Sequence, residues 1–155
     1  MAQIGVISDT HGLLRPEACA ALQGVDQILH AGDIGDETIL ADLARIAPVT
    51  AVVGNNDHGP WTRGLPTTAE VRVGSVTVLV THILAALVID PKAEGASVVI
   101  YGHSHRPENV KRGGILYFNP GSAGPRRFKL PVTVGLLRVN GRRVQGEIVP
   151  LLGSR

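Results

Sequence analysis

The sequence predicts a single α/β domain built around mixed β-sheet. Its 155 residues suffice for one domain, because a chain of this size buries about 70% of the surface that its unfolded form exposes. Hydrophobic residues make up 44% of the chain, and only five residues are aromatic, so Val, Ile, Leu and Ala should form the core. Strand and helix patterns alternate first, and hairpin signals follow. We therefore expect residues 1–155 to form one domain, with parallel strands followed by antiparallel ones.

The first third of the chain carries a βαβαβ pattern. Short apolar runs predict three strands, at residues 4–8, 27–30 and 50–53, and the first of them is expected to be buried on both faces. Pro16 suits the first turn of a helix that continues to residue 22. Asp36 is the candidate N-cap of a second helix, which Pro48 prevents from continuing. Such βαβ units give parallel strands with right-handed crossovers.

The rest of the chain predicts antiparallel hairpins. Three two-residue signals, Gly74-Ser75, Gly113-Gly114 and Asn140-Gly141, each separate two apolar runs. The resulting strand pairs are residues 69–73 with 76–81, 110–112 with 115–119, and 132–139 with 144–151. Residues 98–101 predict a further strand. Residues 84–94 are expected to be partly helical, with a break or a new turn at Asp90-Pro91.

Charge is distributed unevenly along the chain. Residues 1–60 hold eight acidic and two basic residues, whereas residues 61–155 hold five acidic and thirteen basic ones. Asp9, Asp33 and Asp57 each follow an apolar strand, where an open α/β sheet gathers its ligand-binding groups. The basic remainder keeps nucleic acid open as a substrate, although the chain lacks recognisable nucleic-acid-binding motifs and has few rings for base stacking.

The expected compartment is the cytoplasm. The single Cys19 cannot form an internal disulfide, and residues 1–8 do not resemble a secretion signal. Every apolar run is interrupted well before the roughly 20 residues that a membrane span needs, so no membrane association is expected.

Histidines and carboxylates at strand ends carry the chemical signal. His11 lies two residues after Asp9, His82 ends another apolar run, and His103 lies two residues before His105. In an extended segment, side chains at i and i+2 project to the same side, so each spaced pair is expected to present two ligands to one centre. Two more strand ends carry Gly-Asp and Gly-Asn-Asn-Asp, at residues 32–33 and 54–57. Any one of these groups is an ordinary turn or a surface residue, whereas together they predict a metal site.

The full set of motifs resembles the calcineurin-like metallophosphoesterases. The order Asp-x-His, Gly-Asp, Gly-Asn-x-Asp, Thr-His and Gly-His-x-His matches that family over residues 4–126. The small size and the runs GNND, GHSHRP and NPGS are similar to the small YfcE-type phosphodiesterases within it. The resemblance implies a four-layer αββα sandwich with a two-metal site at its strand ends.

The resemblance also implies a ligand set, carried over residue by residue. It places one metal among Asp9, His11, Asp33 and His105, and a second among Asp33, Asn55, His82 and His103, with Asp33 bridging the two. Nitrogen and oxygen ligands without thiolate suit Mn²⁺, Fe²⁺, Zn²⁺, Ni²⁺ or Mg²⁺, and likeness to the family favours Mn²⁺.

The implied reaction is the hydrolysis of a small phosphodiester by a hydroxide that bridges the metals. The residues expected to contribute most directly to catalysis are Asp33, Asn55 and His103. Two alternatives stay open. One is a phosphomonoesterase, and the other is a binding scaffold of the same fold, as in the retromer subunit.

Some positions depart from the family or keep two interpretations. Many relatives have His after the metal-binding Asn, where this chain has Asn56, so assistance to the leaving group is in question. His58 is either a substitute for that His or a hydrated loop residue, and Trp61 is either a stacking platform or a cap on the core. The basic run 126–129 either contacts phosphate or is solvated, and the apolar faces at 132–137 and 149–152 belong to the sheet core or to a homo-oligomer.

Overall fold

Two five-stranded sheets packed face to face form the framework of the protein. A computed structural model describes residues 1–152. Its strands are β1 (Ala2–Ile7), β2 (Gln27–His30), β3 (Val49–Ala51), β4 (Thr68–Val73), β5 (Val76–Thr81), β6 (Val98–Ile100), β7 (Glu108–Arg112), β8 (Ile115–Asn119), β9 (Thr133–Asn140) and β10 (Arg143–Pro150). Its α-helices are α1 (Pro16–Ala21) and α2 (Glu37–Ala44), and 3₁₀ turns occupy Pro60–Thr62 and Leu84–Ala86.

The first sheet has the strand order β10-β9-β1-β2-β3. Strands β1, β2 and β3 are parallel, as the βαβαβ pattern predicted, and Ile7 pairs with His30, which pairs with Ala51. The ends of these three strands are therefore level, and the loops that follow them leave the sheet along one edge. Asp36 caps α2 as predicted, because its side chain accepts a hydrogen bond from the Thr38 N–H at 3.0 Å.

The second sheet has the order β4-β5-β6-β8-β7. The parallel pairs Val80–Ile100 and Ile100–Phe118 likewise bring the ends of β5, β6 and β8 to one edge. The predicted hairpins β4–β5, β7–β8 and β9–β10 are all present. Mixed pairing in both sheets confirms the predicted fold class.

Apolar side chains from both sheets interdigitate in the central core. This core is almost entirely aliphatic, with Phe118 as its largest buried side chain, and it includes Ile4, Val6, Val78, Ile100 and Leu137. A second apolar cluster joins α1 and α2 to the outer face of the first sheet through Leu22, Ile28 and Leu43. The apolar run at 132–137 belongs to the sheet core, since Val134 and Leu137 are fully buried.

The prediction of a partly helical segment at residues 84–94 is confirmed in part: the helical portion is short, and the new turn at Asp90-Pro91 is present, where the Lys92 N–H donates to Asp90 Oδ1 at 3.1 Å. The chain makes one 3₁₀ turn at Leu84–Ala86, and Leu84, Leu87 and Ile89 cover the outer face of the second sheet without an α-helix. Val88 and Ile89 are β-branched, and Pro91 keeps the preceding residue out of the helical region, so too few residues remain to nucleate a helix. Among residues 1–152, no helix is long and apolar enough to cross a membrane.

Candidate metal centre

The polar residues after the strands lie in loops with an unusual backbone conformation. Five of them have positive φ: Asp9 at 56°, His11 at 45°, Asp33 at 55°, His103 at 74° and His105 at 64°. Within residues 1–152, the one other non-glycine residue of this kind is Phe128. Left-handed conformations cost free energy for side-chain-bearing residues and concentrate at functional sites. The extended geometry from which the i, i+2 pairing was predicted is therefore absent.

The loops bring the predicted ligands into two adjacent clusters. The ligand atoms of Asp9, His11 and His105 lie within 4.8 Å of one another. The ligand atoms of Asp33, His82 and His103 form a second group and also lie within 4.8 Å of one another. The prediction that His103 and His105 serve one centre is wrong, because the turn between them sends one imidazole to each cluster. The resemblance to the calcineurin-like metallophosphoesterases, in contrast, implied that His105 serves one metal and His103 the other.

Two carboxylates connect the clusters. Asp9 Oδ1 lies 3.4 Å from His105 Nε2, 3.6 Å from His11 Nε2 and 3.9 Å from His82 Nε2. Asp33 Oδ2 lies 3.2 Å from His82 Nε2 and 3.7 Å from His11 Nε2. Asp33 is thus near a histidine of each cluster, which is the position that a bridging ligand requires.

Several buried polar atoms in these clusters lack hydrogen-bond partners. They are Asp9 Oδ1, His11 Nε2, His82 Nε2 and His105 Nδ1. Buried polar atoms are normally paired, because an unpaired one pays the full cost of desolvation. Four such atoms, all oxygen or imidazole nitrogen, fit a site that is completed by divalent cations.

The clusters strongly perturb the ionisation of their members. Burial disfavours the Asp9 carboxylate, but His105, His11 and Ser8 outweigh burial and hold its pKa well below the usual range. Burial likewise opposes the charge on Asp33, yet His82 and the Asn56 N–H lower its pKa to about 2. The neighbouring carboxylates in turn raise the pKa of His11 and of His82, in the latter case against burial. Both carboxylates are therefore ionised at neutral pH, ready to accept a cation.

Hydrogen bonds from outside the clusters fix the ligand orientations. The Ser8 hydroxyl donates to Asp9 Oδ2 at 2.6 Å, and the His103 N–H donates to the same oxygen at 3.1 Å, leaving Oδ1 directed at the histidines. His82 Nδ1 lies 2.7 Å from the Ala31 carbonyl oxygen, so Nδ1 carries a proton, and in the neutral ring the lone pair is on Nε2. Metal-binding histidines typically have such a partner on the second nitrogen.

Asn56 and Asp57 organise the loop after β3. The Asn56 N–H donates to Asp33 Oδ1 at 2.8 Å, and its side-chain amide donates to Asp33 Oδ2 at 3.0 Å. Asp57 accepts hydrogen bonds from the N–H groups of Gly54, Ile34 and Gly35, so it holds the loop after β3 against the loop after β2. In the sequence, Asn56 is notable only because many relatives have His at this position. In the structure, its N–H and its side-chain amide both hold the carboxylate of Asp33, the predicted bridging ligand.

Asn55 is placed differently from the other predicted ligands. It is exposed, and it lines a cavity of about 380 Å³ together with His82, Ile83 and Val88. Its side chain therefore faces the space beside the second cluster, where a metal or a substrate can be reached. His58 is also exposed, two residues beyond the amide clamp.

His30 is fully buried behind the site and is not one of the clustered ligands. Its Nδ1 accepts a hydrogen bond from the Gly32 N–H at 3.0 Å, so its proton is on Nε2, 3.1 Å from Thr10 Oγ1. Thr10 in turn donates to the Ile34 carbonyl at 2.8 Å. Complete burial lowers the pKa of His30 to about 4. The neutral ring therefore connects the loop after β1 to the loop after β2.

Close packing at two glycines leaves no room for a side chain. A Cβ on Gly54 would lie 2.1 Å from the Asp33 backbone nitrogen, and one on Gly102 would lie 2.1 Å from Ser8 Oγ. Absence of a side chain thus allows the two sheets' loops to meet at the clusters. The end of β8 and the loop after it make two further contacts with the site. The Asn119 amide donates a hydrogen bond to the Gly102 carbonyl oxygen, and the Ser122 hydroxyl donates one to the Asp9 carbonyl oxygen.

Two mixed sheets with paired Asp/His clusters at their common edge define a metal-binding α/β domain of the metallophosphoesterase class. The model of the calcineurin-like phosphoesterase superfamily domain matches residues 2–142, and the chain belongs to that family. A probable metallophosphoesterase of Methanothermobacter thermautotrophicus is 37% identical over 161 residues, covering 94% of this chain and 91% of the relative.

Two further comparisons give one relative by sequence and one solved structure of similar fold. A phosphodiesterase of Methanocaldococcus jannaschii is 25% identical over 154 residues, covering 87% of this chain and 92% of its own. The crystal structure of Vps29 from Entamoeba histolytica in complex with zinc has a TM-score of 0.74 at 23% identity, covering 97% of this chain and 99% of that one. The second similarity is one of fold.

Proposed function

We propose that the protein is a metal-dependent phosphodiesterase with two metal ions at the described clusters. The observation that carries this proposal is the pair of adjacent ligand clusters joined by Asp9 and Asp33, with unpaired oxygen and nitrogen atoms directed at one another. A single metal would leave one of the clusters without its cation. The M. jannaschii relative is named a phosphodiesterase, in agreement with this reaction class.

The roles of the chain's own residues follow from their contacts. Asp9, His11 and His105 would hold one ion, and Asp33, His82 and His103, together with Asn55, the other. Ions bound there would supply Lewis acidity, an activated water and compensation for the charge that develops on phosphorus. Ser8 and Asn56 orient the two carboxylates, and the carbonyl of Ala31 sets the tautomer of His82. Because two carboxylates only partly neutralise two divalent ions, the site would attract a phosphate anion.

Space on both sides of the clusters favours a diester over a monoester. The cavity beside His82 and Asn55 has an apolar rim that includes Ile83, Ala86 and Val88. A second cavity begins at Arg106, next to His105 on the other cluster. A diester carries an organic group on each of two oxygens, whereas a monoester needs only one such cavity.

The metal, the compartment and the partners belong to the same proposal. Oxygen and imidazole donors suit Mn²⁺, which is the ion we propose, with Fe²⁺, Zn²⁺, Ni²⁺ and Mg²⁺ as the ions to compare. The free Cys19 suits a reducing compartment such as the cytoplasm. We expect a small phosphodiester as the partner, without membrane association, and leave self-association to a sedimentation experiment.

The first experiment is hydrolysis of bis(p-nitrophenyl) phosphate and of p-nitrophenyl phosphate by metal-stripped protein, with and without Mn²⁺. We expect metal-dependent cleavage of the diester at a kcat/KM at least tenfold above that of the monoester. Asp33→Asn and His103→Ala should each lower diester kcat/KM at least 100-fold. Asp42→Asn, on the exposed face of α2, is the matched carboxylate control and should retain wild-type activity.

The rival functions give different results in the same assay. Faster cleavage of the monoester would identify a phosphomonoesterase. Folded protein that binds metal and cleaves neither ester with any of the five ions would indicate a scaffold, which is the use consistent with the fold shared with Vps29.

A further inference from the structure

One aromatic side chain of the protein is exposed where the hydrophobic effect would bury it. Phe128 is 88% exposed, and its φ of 54° is in the left-handed region. Trp61, the candidate stacking residue in the sequence, instead packs against the apolar cluster beneath α1 and α2. The cap on the core is therefore the correct interpretation of Trp61. The ring presented to solvent comes from the basic run at residues 126–129.

Phe128 lines a cavity together with the residue that follows the cluster member His105. The cavity measures about 570 Å³ and is lined by Arg106, Phe128, Lys129 and Leu130. This volume is within the roughly 300–1,000 Å³ of small-molecule sites. Arg106 directly follows His105, a member of the first cluster, so one peptide link connects the lining of the cavity to the centre.

Positive charge surrounds this ring. Arg106 and Lys129 line the cavity itself, and Arg127 is close enough to His11 to oppose the upward pKa shift that Asp9 causes. The start of the loop is anchored, because the Arg15 guanidinium donates to the Gly124 carbonyl at 3.2 and 3.3 Å. A flat apolar ring flanked by cations beside a phosphate-attracting centre is complementary to an aromatic group carried on a phosphate.

We propose that the cavity of Arg106, Phe128 and Lys129 binds the nucleoside group of the diester substrate. The base stacks on the Phe128 ring, and Arg106 and Lys129 lie beside the sugar and phosphate. This inference rests on the proposed function and names its substrate class: a nucleotide esterified at phosphorus by a second group. Stacking on an aromatic ring tolerates all four bases, so recognition extends to nucleosides in general.

A nucleoside uses both the aromatic ring and the cations of this cavity, whereas a purely aliphatic group would use neither. An aliphatic group would gain no more from a phenyl ring than from leucine, and it would gain nothing from two cations. A base has a π-face for Phe128, and guanidinium groups interact favourably with aromatic faces as well as with phosphate. The second cavity, beside Asn55 and His82, then receives the other ester group.

The test compares two diesters with the same leaving group on the Mn²⁺-loaded protein. The substrates are thymidine 5′-(p-nitrophenyl phosphate) and methyl p-nitrophenyl phosphate. In both, water adds to phosphorus, the bond from phosphorus to the p-nitrophenyl oxygen breaks, and p-nitrophenolate leaves. The nucleoside or the methyl group stays on the phosphate. The difference between the two KM values therefore reports the nucleoside group.

Variants at Phe128 isolate the ring. We expect wild-type KM for the thymidine substrate to be at least tenfold lower than for the methyl substrate. Phe128→Tyr should keep this preference, whereas Phe128→Ala and Phe128→Leu should lose at least fivefold of it. Val110→Ala, an exposed apolar side chain on β7, is the matched control and should leave both KM values unchanged.

The outcomes separate this inference from the proposed function. Cleavage of both esters with equal KM values, or a preference that survives in Phe128→Ala, overturns nucleoside recognition and leaves the phosphodiesterase intact. Cleavage of neither ester overturns the phosphodiesterase. Binding is then measured directly, by saturation-transfer NMR of thymidine 5′-monophosphate on protein loaded with diamagnetic Mg²⁺, because paramagnetic Mn²⁺ would broaden the ligand resonances. Transfer to the base protons that disappears in Phe128→Ala supports the cavity assignment, and absence of transfer in the wild type overturns it.

A chain-length comparison identifies the source of the nucleoside. If decathymidylate binds at least tenfold more tightly than a dithymidine phosphate, the nucleoside belongs to a nucleic-acid strand. Equal affinity assigns it to a small nucleotide diester.

Discussion

Both oxygens of the Asp33 carboxylate are held in place by hydrogen bonds. Its two oxygens receive hydrogen bonds from the Asn56 backbone and side chain, and Oδ2 faces His82 and His11. Positive φ at Asp33 itself directs the carboxylate into the site. A backbone conformation that costs free energy is retained here because the surrounding contacts over-determine it.

Removal of the Asn56 amide should weaken metal binding without unfolding the protein. Asn56→Ala deletes the 3.0 Å hydrogen bond to Asp33 Oδ2 and leaves the one from the backbone. Loss of such an outer partner typically costs about 10- to 100-fold in metal affinity, so we expect at least a tenfold rise in the Mn²⁺ dissociation constant. Competition with a chromophoric chelator measures it. Asn140→Ala, at the opposite end of the first sheet, is the control, and equal affinities for the two variants would contradict the role of the clamp.

His30 should make the metal-free protein less stable as the pH falls from 6.5 to 4. Its folded-state pKa of about 4 is below the ordinary 6.5, so the unfolded chain binds a proton in this window that the folded chain does not. The contribution of His30 is complete above pH 6.5 and is lost progressively down to pH 4, by about 3 kcal/mol. Urea unfolding at several pH values measures this slope.

Neighbouring groups titrate outside that window. The carboxylates with lowered pKa affect stability below it, and His11 and His82, whose pKa values are raised, affect it above pH 6.5. His30→Asn should flatten the slope between pH 4 and 6.5, whereas His58→Gln, at an exposed position, should retain it. A wild-type slope in His30→Asn would assign the effect to another residue.

At the scale of elements, strand ends and glycines assemble the site. The level ends of β1, β2 and β3 release Asp9, Asp33 and Asn55 along one edge, and β5 and β6 release His82 and His103 opposite them. The glycine after β3, Gly54, lets its loop approach the backbone of Asp33, and the glycine after β6, Gly102, makes room for the side chains of Ser8 and Asp9. The arrangement depends on register, because a shift of one residue would turn each side chain to the other face.

Gly54→Ala should disrupt the approach of the β3 loop to Asp33. The new Cβ would meet the Asp33 backbone at 2.1 Å and its Oδ1 at 2.2 Å, and the backbone atom cannot rotate away. We expect a loss of about 1–3 kcal/mol in the free energy of unfolding, together with weaker Mn²⁺ binding. Gly64→Ala is the control, since nothing lies within 4 Å of its Cβ and its φ is not positive. Equal urea midpoints for the two variants would show that the loop has room to move.

At the scale of the whole molecule, the centre joins the two sheets. Asp9, His11 and Asp33 come from loops of the first sheet, whereas His82, His103 and His105 come from the second. A cation held by both groups would thus link the sheets at an edge where their polar atoms are unpaired. Metal binding and global stability are therefore expected to be coupled.

Addition of Mn²⁺ should raise the melting temperature of the metal-stripped protein. At 100 times the dissociation constant, one bound ion stabilises the folded state by about 2.7 kcal/mol. For a domain of this size, that corresponds to an increase of about 5–10 °C. Calorimetry with and without Mn²⁺ measures the shift. Asp33→Asn should show a much smaller one, and an unchanged wild-type melting temperature at saturating Mn²⁺ would contradict a centre that links the sheets.

Local patterns of the sequence determined most of the framework and the identity of the family. Alternation, Gly-rich hairpin turns and the Asp36 cap act within a few residues, so β1 to β6, the three hairpins and both helices were predictable to within about two residues at each end, apart from the segment at 84–94. The order of Asp, Asn and His at strand ends is also a linear property. It predicted the candidate ligands, and it identified the family that the comparison confirms.

Tertiary structure alone decided how these residues are used. The left-handed turn between His103 and His105 assigns them to different clusters, and the approach of two loops makes Asn56 a partner of Asp33. Packing against α1 and α2 buries Trp61 in part and leaves Phe128 as the exposed ring. Each outcome depends on φ, on register or on contacts between residues far apart in the chain, and spacing along a sequence does not encode these quantities.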